Sequence, residues 1–516
     1  MFQTINASFP LLSVLIFGPL AVALILAFLP NKDGQNDKTI KQISIAAVVA
    51  ELIGTLCVFT GFKQGVSGFQ FYEKAGWIPQ FNINYAVGVD GVSVLLILLA
   101  GILFVVSALV AYNTITTRVK EYFVNFFILL ATTIGVFVAL DMFLFYIFWE
   151  AMLIPAYLII GIWGGAQRVM ATTKFFIYTL ASSLFMLVGM VMMYNASAFY
   201  TVDHKSTFDM LVLLSSPYGA GFQFWVFLAF LIAFAVKAPM FPFHTWLPDA
   251  YTQAPFAASI LLAGILSKMG AYGLIRFCIT AFPDASKYFS LLIMVLSVIA
   301  IIYGAVVAIM QTDMKRMIAY SSFSHIGFIT LGIFAFNAQG IGGAVIQMFN
   351  HGVIIAGLFA LAAFIAAKTG TTMIPEMTGF ARIVPATATV VMIFVMASIG
   401  LPGLNGFTGE FPILMGAYLY SKPLGTIATL GVIIGVTYIL YMYHRVFWGE
   451  NKNEAHEKVA DLGRLEWVAL APLLLLVFWV GIYPAVFLGA INTASVDLAA
   501  MLLQHNPIDI TSIGKN

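Results

Sequence analysis

Charged side chains are scarce in this chain: 24 Lys and Arg stand with 22 Asp and Glu among 516 residues, or 9%. A soluble domain carries roughly a quarter. With 61% of residues hydrophobic and a mean hydropathy of +0.99, there is too little polar surface to solvate the molecule. A soluble enzyme and a disordered chain are excluded, and a polytopic membrane protein is left. Cysteine is almost missing. Cys57 and Cys278 lie far apart, each inside an apolar run, so neither a cysteine-ligated iron–sulfur cluster nor a disulfide scaffold is expected. The net charge of +2 offers no field for nucleic acid. No Gly-x-x-x-x-Gly-Lys-Ser/Thr stretch occurs, so transport is not driven by the chain's own ATP hydrolysis. The first Lys is Lys32, after the first apolar run, which is not a secretory-signal pattern, and the first helix is expected to be retained.

What is there is apolar sequence in lengths that span a bilayer. Fourteen segments qualify, at 11–29, 42–62, 89–111, 122–140, 142–162, 173–195, 221–240, 255–278, 289–310, 317–336, 341–366, 384–420, 424–447 and 467–489. The fourth and fifth form one stretch that as a single helix would be about twice the hydrocarbon thickness. It must fold back, and Asp141 is the expected turn.

Short cytoplasmic loops collect Lys and Arg. With the amino terminus outside, the inner connections hold fifteen: Lys32, Lys38, Lys41, Arg118, Lys120, Arg168, Lys174, Lys315, Arg316, Lys368, Arg382, Arg445, Lys452, Lys458 and Arg464. The outer ones hold six, Lys63, Lys74, Lys205, Lys287, Lys422 and Lys515. This bias predicts fourteen spans with both termini periplasmic, in a bacterial inner membrane.

Two helices are interrupted, one at Lys237-Ala238-Pro239-Met240-Phe241-Pro242 and one across Gly400-Leu401-Pro402-Gly403-Leu404-Asn405-Gly406 to Gly409-Glu410. Proline removes a backbone donor and glycine weakens a helix, so each stretch should unwind, and unwound backbone at membrane depth must be buried or line a polar cavity. Residues 122–278 and 289–447 each hold five spans, the fourth of them broken. Five is odd, so the second unit enters from the opposite face. The expected fold is therefore all-α and polytopic, with two inverted five-helix repeats, three preceding helices in 1–121, and a loop, last helix and tail in 448–516. Broken helices at matching positions are the mark of ion and solute transporters.

An ionisable group near the bilayer centre costs about 2.5–3.5 kcal/mol on insertion scales, so each should be paired, hydrated or functional. Within the spans stand Glu51, Glu150, Lys237, Lys268, His325, His351 and Glu410, with Arg276 near a helix end. All but Glu51 lie in the repeats, and all but Glu51 and Arg276 at positions suited to a polar chain across the membrane interior. A Lys near a Glu can switch between holding and releasing a proton, and His relays protons near neutrality. His244 and Asp249 lack a third metal ligand and read as an interfacial turn.

These residues carry a resemblance. Phe148-Trp149-Glu150, the run from Lys237 through Trp246-Leu247-Pro248-Asp249-Ala250 to Lys268, and Gly409-Glu410 resemble the proton-conducting, antiporter-like membrane subunits of respiratory complex I (NADH:quinone oxidoreductase) over essentially the whole chain. The resemblance implies that Glu150, Lys237, Lys268, His351 and Glu410 form half-channels and a central axis, with Glu150 paired to Lys237, Lys268 relaying towards His325 and His351, and Glu410 as the donor to the outside. It implies no cofactor in this chain: flavin, iron–sulfur clusters and quinone belong to other subunits. The implied partners are other membrane subunits, including related antiporter-like chains, together with lipid and protons. A subunit of a multisubunit Mrp-type cation/proton antiporter shares most of these motifs and is the alternative.

Overall fold

The computed structural model describes residues 3–451 and 456–508. Lys452, Lys515 and the chain ends, which entered the charge count, lie outside the described residues. Among the described residues, thirteen helices are long and apolar enough to cross a membrane, and twelve of them coincide with expected spans. The tenth expected span is the twenty-residue helix Met314–Ile333, whose serines and His325 make it less apolar than the rest. The twelfth is two shorter helices, Pro385–Ser398 and Asn405–Tyr420. Asp141 makes the turn expected of it: it caps Met142–Ala151, its carboxylate accepting from the backbone of Phe143 and Leu144.

Burial sorts the helices into layers. The apolar stretches of Gly91–Thr114 and Phe256–Ile279 are wholly enclosed, and that of Ala338–Thr369 largely so. Leu11–Phe28 and Lys422–Phe447 are covered over a third of their length. Their uncovered side chains are mostly apolar, among them Phe28, Ile25 and Ile433, as a surface solvated by lipid requires. The enclosed helices lack amphipathic patterning because every face meets protein.

The fold is all-α as expected, with three local features that were not foreseen. First, a small sheet sits at one end: Phe69–Ile78 pairs antiparallel with Ile83–Val89, and Thr4–Asn6 adds a short parallel edge. The signal was present in Phe-Gln-Phe-Tyr and Ile-Asn-Tyr-Ala-Val, which flank a Pro-Gln-Phe-Asn turn with Asn82 left-handed. Secondly, the span expected at 467–489 ends at Ile482, and a separate helix, Ala485–Leu503, begins after Tyr483-Pro484. Thirdly, Phe256–Ile279 is not uniform, since Leu262–Leu266 and Leu274–Ile279 are wound as π-helix.

The segment preceding Arg464–Ile482 is tied to the broken twelfth span by Asp461. Its carboxylate accepts from the backbone N–H of Ala386 at 2.7 Å and of Thr387 at 2.9 Å, and from the Thr387 hydroxyl at 2.7 Å, supplying an N-cap from outside the helix. Partial burial pushes its pKa up, but the Thr387 hydroxyl and these N–H groups outweigh that and hold it below the usual carboxylate value. A depressed folded pKa means that the stabilisation is present above the unfolded pKa and is lost as pH falls through the folded one. Asp461→Asn is therefore expected to lower the thermal midpoint at neutral pH, with the difference closing in acid, as a scan at several pH values would read.

Candidate functional site

The site begins where close backbone contact sets three helices together. A Cβ on Gly352 would lie 2.8 Å from the carbonyl oxygen of Gly264, so Ala338–Thr369 and Phe256–Ile279 approach as only small residues permit. His351 adjoins that contact and Lys268 is one turn beyond it. Gly270 meets Ala238 in the same way, its Cβ position 2.3 Å from the backbone nitrogen. Lys268 is thus carried on a helix seated against the first break.

The π-turns matter here because they take carbonyls out of the regular ladder. Ala263 O accepts from Lys268 Nζ at 2.5 Å, and Leu262 O accepts from the Tyr251 hydroxyl at 2.9 Å. Lys268 Nζ also lies 2.6 Å from His351 Nδ1 and 3.3 Å from Ser267 Oγ. Three acceptors match the three donors of an ammonium. With Nδ1 accepting, His351 carries its proton on Nε2, which is buried without a protein partner.

The His351 and His325 rings are 5.4 Å apart between centroids. His325 Nδ1 lies 2.8 Å from Glu410 Oε1, which also accepts from Gln347 Nε2 at 3.0 Å. On its other side, His325 Nε2 faces Ser398 Oγ at 3.3 Å and the Tyr438 hydroxyl at 3.5 Å. A hydroxyl can donate or accept, so neutral and protonated His325 are both satisfied. Four of the expected residues, Lys268, His351, His325 and Glu410, therefore form one succession across four helices.

The other two do not meet. Among the described residues, Lys237 Nζ makes no hydrogen bond and Glu150 Oε1 is likewise buried without a partner, so the expected Glu150–Lys237 ion pair is open in this structure. Lys237 instead lies 5.3 Å from the Trp149 ring centroid and 5.9 Å from that of Phe175, an arrangement that favours a cation electrostatically. Trp149 precedes Glu150, so ring and carboxylate reach Lys237's surroundings from one helix.

Both breaks are stitched by side chains. At the first, Trp246 Nε1 donates to Val236 O at 2.9 Å. At the second, Gly400 and Gly403 take φ of +72° and +92°, which an L side chain rarely adopts. Asn350 donates to Asn405 O at 2.7 Å and to Thr408 Oγ1 at 3.1 Å. The first bond gives a carbonyl at the break a partner at membrane depth, and the Asn350 bonds tie Ala338–Thr369 to the start of Asn405–Tyr420.

Glu51 is buried apart from this group, with Oε1 unpartnered. His244 lies in the turn expected of it and stacks on Phe323 at 4.2 Å, but Asp249 is in the first turn of a short helix, Trp246–Gln253, where Lys174 at 2.8 Å and Arg316 at 3.3 Å hold it. Sequence reasoning missed Gln347, Ser398 and Tyr438. Gln347 had a signal, because it stands four residues before His351 and shares its helix face. The other two had none beyond being polar in apolar runs.

Residues 139–435 match the family described as NADH:quinone oxidoreductase/Mrp antiporter, TM. NADH-quinone oxidoreductase subunit M of Rhodobacter capsulatus is 40% identical, over 98% of this chain and 98% of its own. NADH-ubiquinone oxidoreductase chain 4 of Marchantia polymorpha is 38% identical over 99% of this chain and 100% of its own. Among solved structures, a chain of respiratory complex I from Thermus thermophilus with bound NADH superposes with a TM-score of 0.85 at 31% identity, covering 96% of this chain and 100% of that one. A chain of the Mrp complex from Dietzia sp. DQ12-45-1b reaches 0.81 at 19% identity, covering 95% and 97%, which is a likeness of fold alone.

Proposed function

Because the chain belongs to the family of NADH:quinone oxidoreductase/Mrp antiporter membrane subunits, we propose that it is a proton-translocating subunit of NADH:quinone oxidoreductase. In this reading it moves protons across the membrane while NADH oxidation and quinone reduction take place on other subunits. The observation that carries the reading is the buried succession Lys268–His351–His325–Glu410, with hydrogen bonds at both ends and two imidazoles between. Groups that titrate or relay are needed wherever a proton crosses a medium without water.

Glu150 sets the field at Lys237, Lys237 passes its state to Lys268, and the relay ends at Glu410 as donor to the outside. The open Glu150–Lys237 pair is one of two arrangements: closure would favour the ammonium, and opening releases that hold. Coverage of 98% of the subunit M relative and 100% of the chain 4 relative supports that type. The remaining members of the complex supply flavin, clusters and quinone site, and related antiporter-like chains are the expected neighbours in the membrane.

Deletion of this chain is expected to abolish NADH-driven proton pumping in membrane vesicles without a primary loss of sodium tolerance. Salt sensitivity with NADH-linked pumping intact would assign the chain to a cation/proton antiporter. The inverted repeats at 122–278 and 289–447 and the periplasmic termini rest on the fifteen-to-six charge bias. Reporter fusions in 31–41 and 448–466 are expected to report from the cytoplasm and one at the carboxy terminus from the periplasm. Cytoplasmic signals from both chain ends would remove the basis for inversion.

A further inference from the structure

A cavity of about 430 Å³ lies apart from the relay, at the end of the bundle that carries the hairpin. Its walls are the segment from Phe62 to Phe69, the π-wound end of Phe256–Ile279 with Ile275 and Arg276, and the Ala490, Ala494 and Leu498 face of Ala485–Leu503. That volume falls within the roughly 300–1,000 Å³ of small-molecule sites. These walls are mostly apolar, and among the lining residues Arg276 is the one cation, beside the carboxylates of Asp90 and Asp497.

Arg276 is nearly saturated, but not fully. Nη2 pairs with Asp90 Oδ1 at 2.8 Å and reaches Ser93 Oγ at 3.2 Å, Nε donates to the Tyr272 hydroxyl at 3.1 Å, and the guanidinium lies 4.9 Å from the Phe69 ring centroid. Among the described residues Nη1 makes no hydrogen bond. A guanidinium has five N–H donors, so Nη1 can serve an acceptor in the cavity that Arg276 borders. Asp90 already balances the charge, and a second carboxylate, Asp497, stands in the lining with its Oδ2 bound by Ser67 at 2.6 Å. An anion is therefore disfavoured, and the fitting acceptor is an uncharged oxygen attached to an alkyl chain. Depth agrees: Arg276 is one turn from the end of a membrane-length helix, where hydrocarbon gives way to the polar region of the bilayer.

We propose that this cavity holds one acyl chain of a glycerophospholipid, its ester carbonyl accepting from Arg276 Nη1 and its methylenes lying along Ala490, Ala494 and Leu498. The lipid joins Ala485–Leu503 to the bundle. This holds whatever the chain's transport chemistry. A free fatty acid offers the same methylenes but a carboxylate that Asp90 and Asp497 oppose.

The test uses the whole purified complex in nanodiscs containing phosphatidylethanolamine with a diazirine on one acyl chain. After irradiation, label is expected in Ala485–Leu503 and around Phe62 to Phe69. Ala494→Phe fills the cavity and should lose most of that label. Arg276→Lys keeps the charge opposite Asp90 but gives up the fork, and should lose part of it. Ala490→Leu, a smaller intrusion, replaces Ala494→Phe if that variant does not assemble. A diazirine fatty acid should label these segments weakly. Absence of phospholipid label from both segments, label unmoved by the variants, or equal labelling by the free acid would each overturn the proposal.

Discussion

Glu150→Ala is expected to remove most proton-coupled quinone reduction, a fall of about tenfold or more on the scale of lost proton-transfer groups, while the complex assembles to its usual level. Lys237 has no hydrogen-bond acceptor, and the aromatic rings beside it soften its burial without replacing a counter-charge. Removing the one carboxylate of its neighbourhood leaves a buried cation uncompensated, a change generally worse than removing both partners. The Glu150 carboxylate is not hydrogen-bonded to Lys237 here, so its influence is a field rather than a contact, and a field tolerates a small displacement. Glu150→Asp should accordingly be milder than Glu150→Ala, and Lys237→Ala should match the latter. Pumping by inverted vesicles, read beside a native gel for assembly, decides it. Normal coupled activity in Glu150→Ala would take this carboxylate out of the mechanism.

Much of this was legible in the chain because a bilayer makes few demands and makes them uniformly. Segment length located all fourteen expected helical segments, and Asp141 and the two proline and glycine interruptions stand where local chemistry requires them. Isolated ionisable residues in apolar runs were visible for the same reason, and four of them come together. What stayed hidden depends on side-chain distance. Nothing in Lys237 or Glu150 as residue types says whether their heads touch. The π-turns were also hidden: Leu262–Leu266 is an ordinary apolar run in sequence, and its winding becomes explicable only once Lys268 and Tyr251 are seen taking its carbonyls. The hairpin was missed because strands of ten and seven residues beside long apolar helices give a weak signal. Ala485–Leu503 was missed because its first residues extend an apolar run that Tyr483-Pro484 interrupts.

Glu410 is where substitution separates a titrating group from a structural one. It follows the left-handed glycines of the second break, and its Oε1 receives both His325 and Gln347. Gln at this position keeps the size and still accepts from both through its amide oxygen, so the packing around Asn405–Tyr420 should persist. It cannot alternate between charged and neutral forms. If Glu410 takes a proton from His325 and gives it up to the outside, Glu410→Gln stops the transfer at the last step, because an amide cannot take that proton up and release it. Asp retains the charge and titrates, but its head is withdrawn by one methylene, which lengthens the bond to His325 without abolishing the chemistry. The expected outcome is that Glu410→Gln loses pumping by about tenfold or more, that Glu410→Asp keeps most of it, and that both assemble like the parent chain. Should Gln pump as well as Glu, the carboxylate is a fastening at a helix break, and the proton must leave from His351, whose Nε2 is buried without a protein partner.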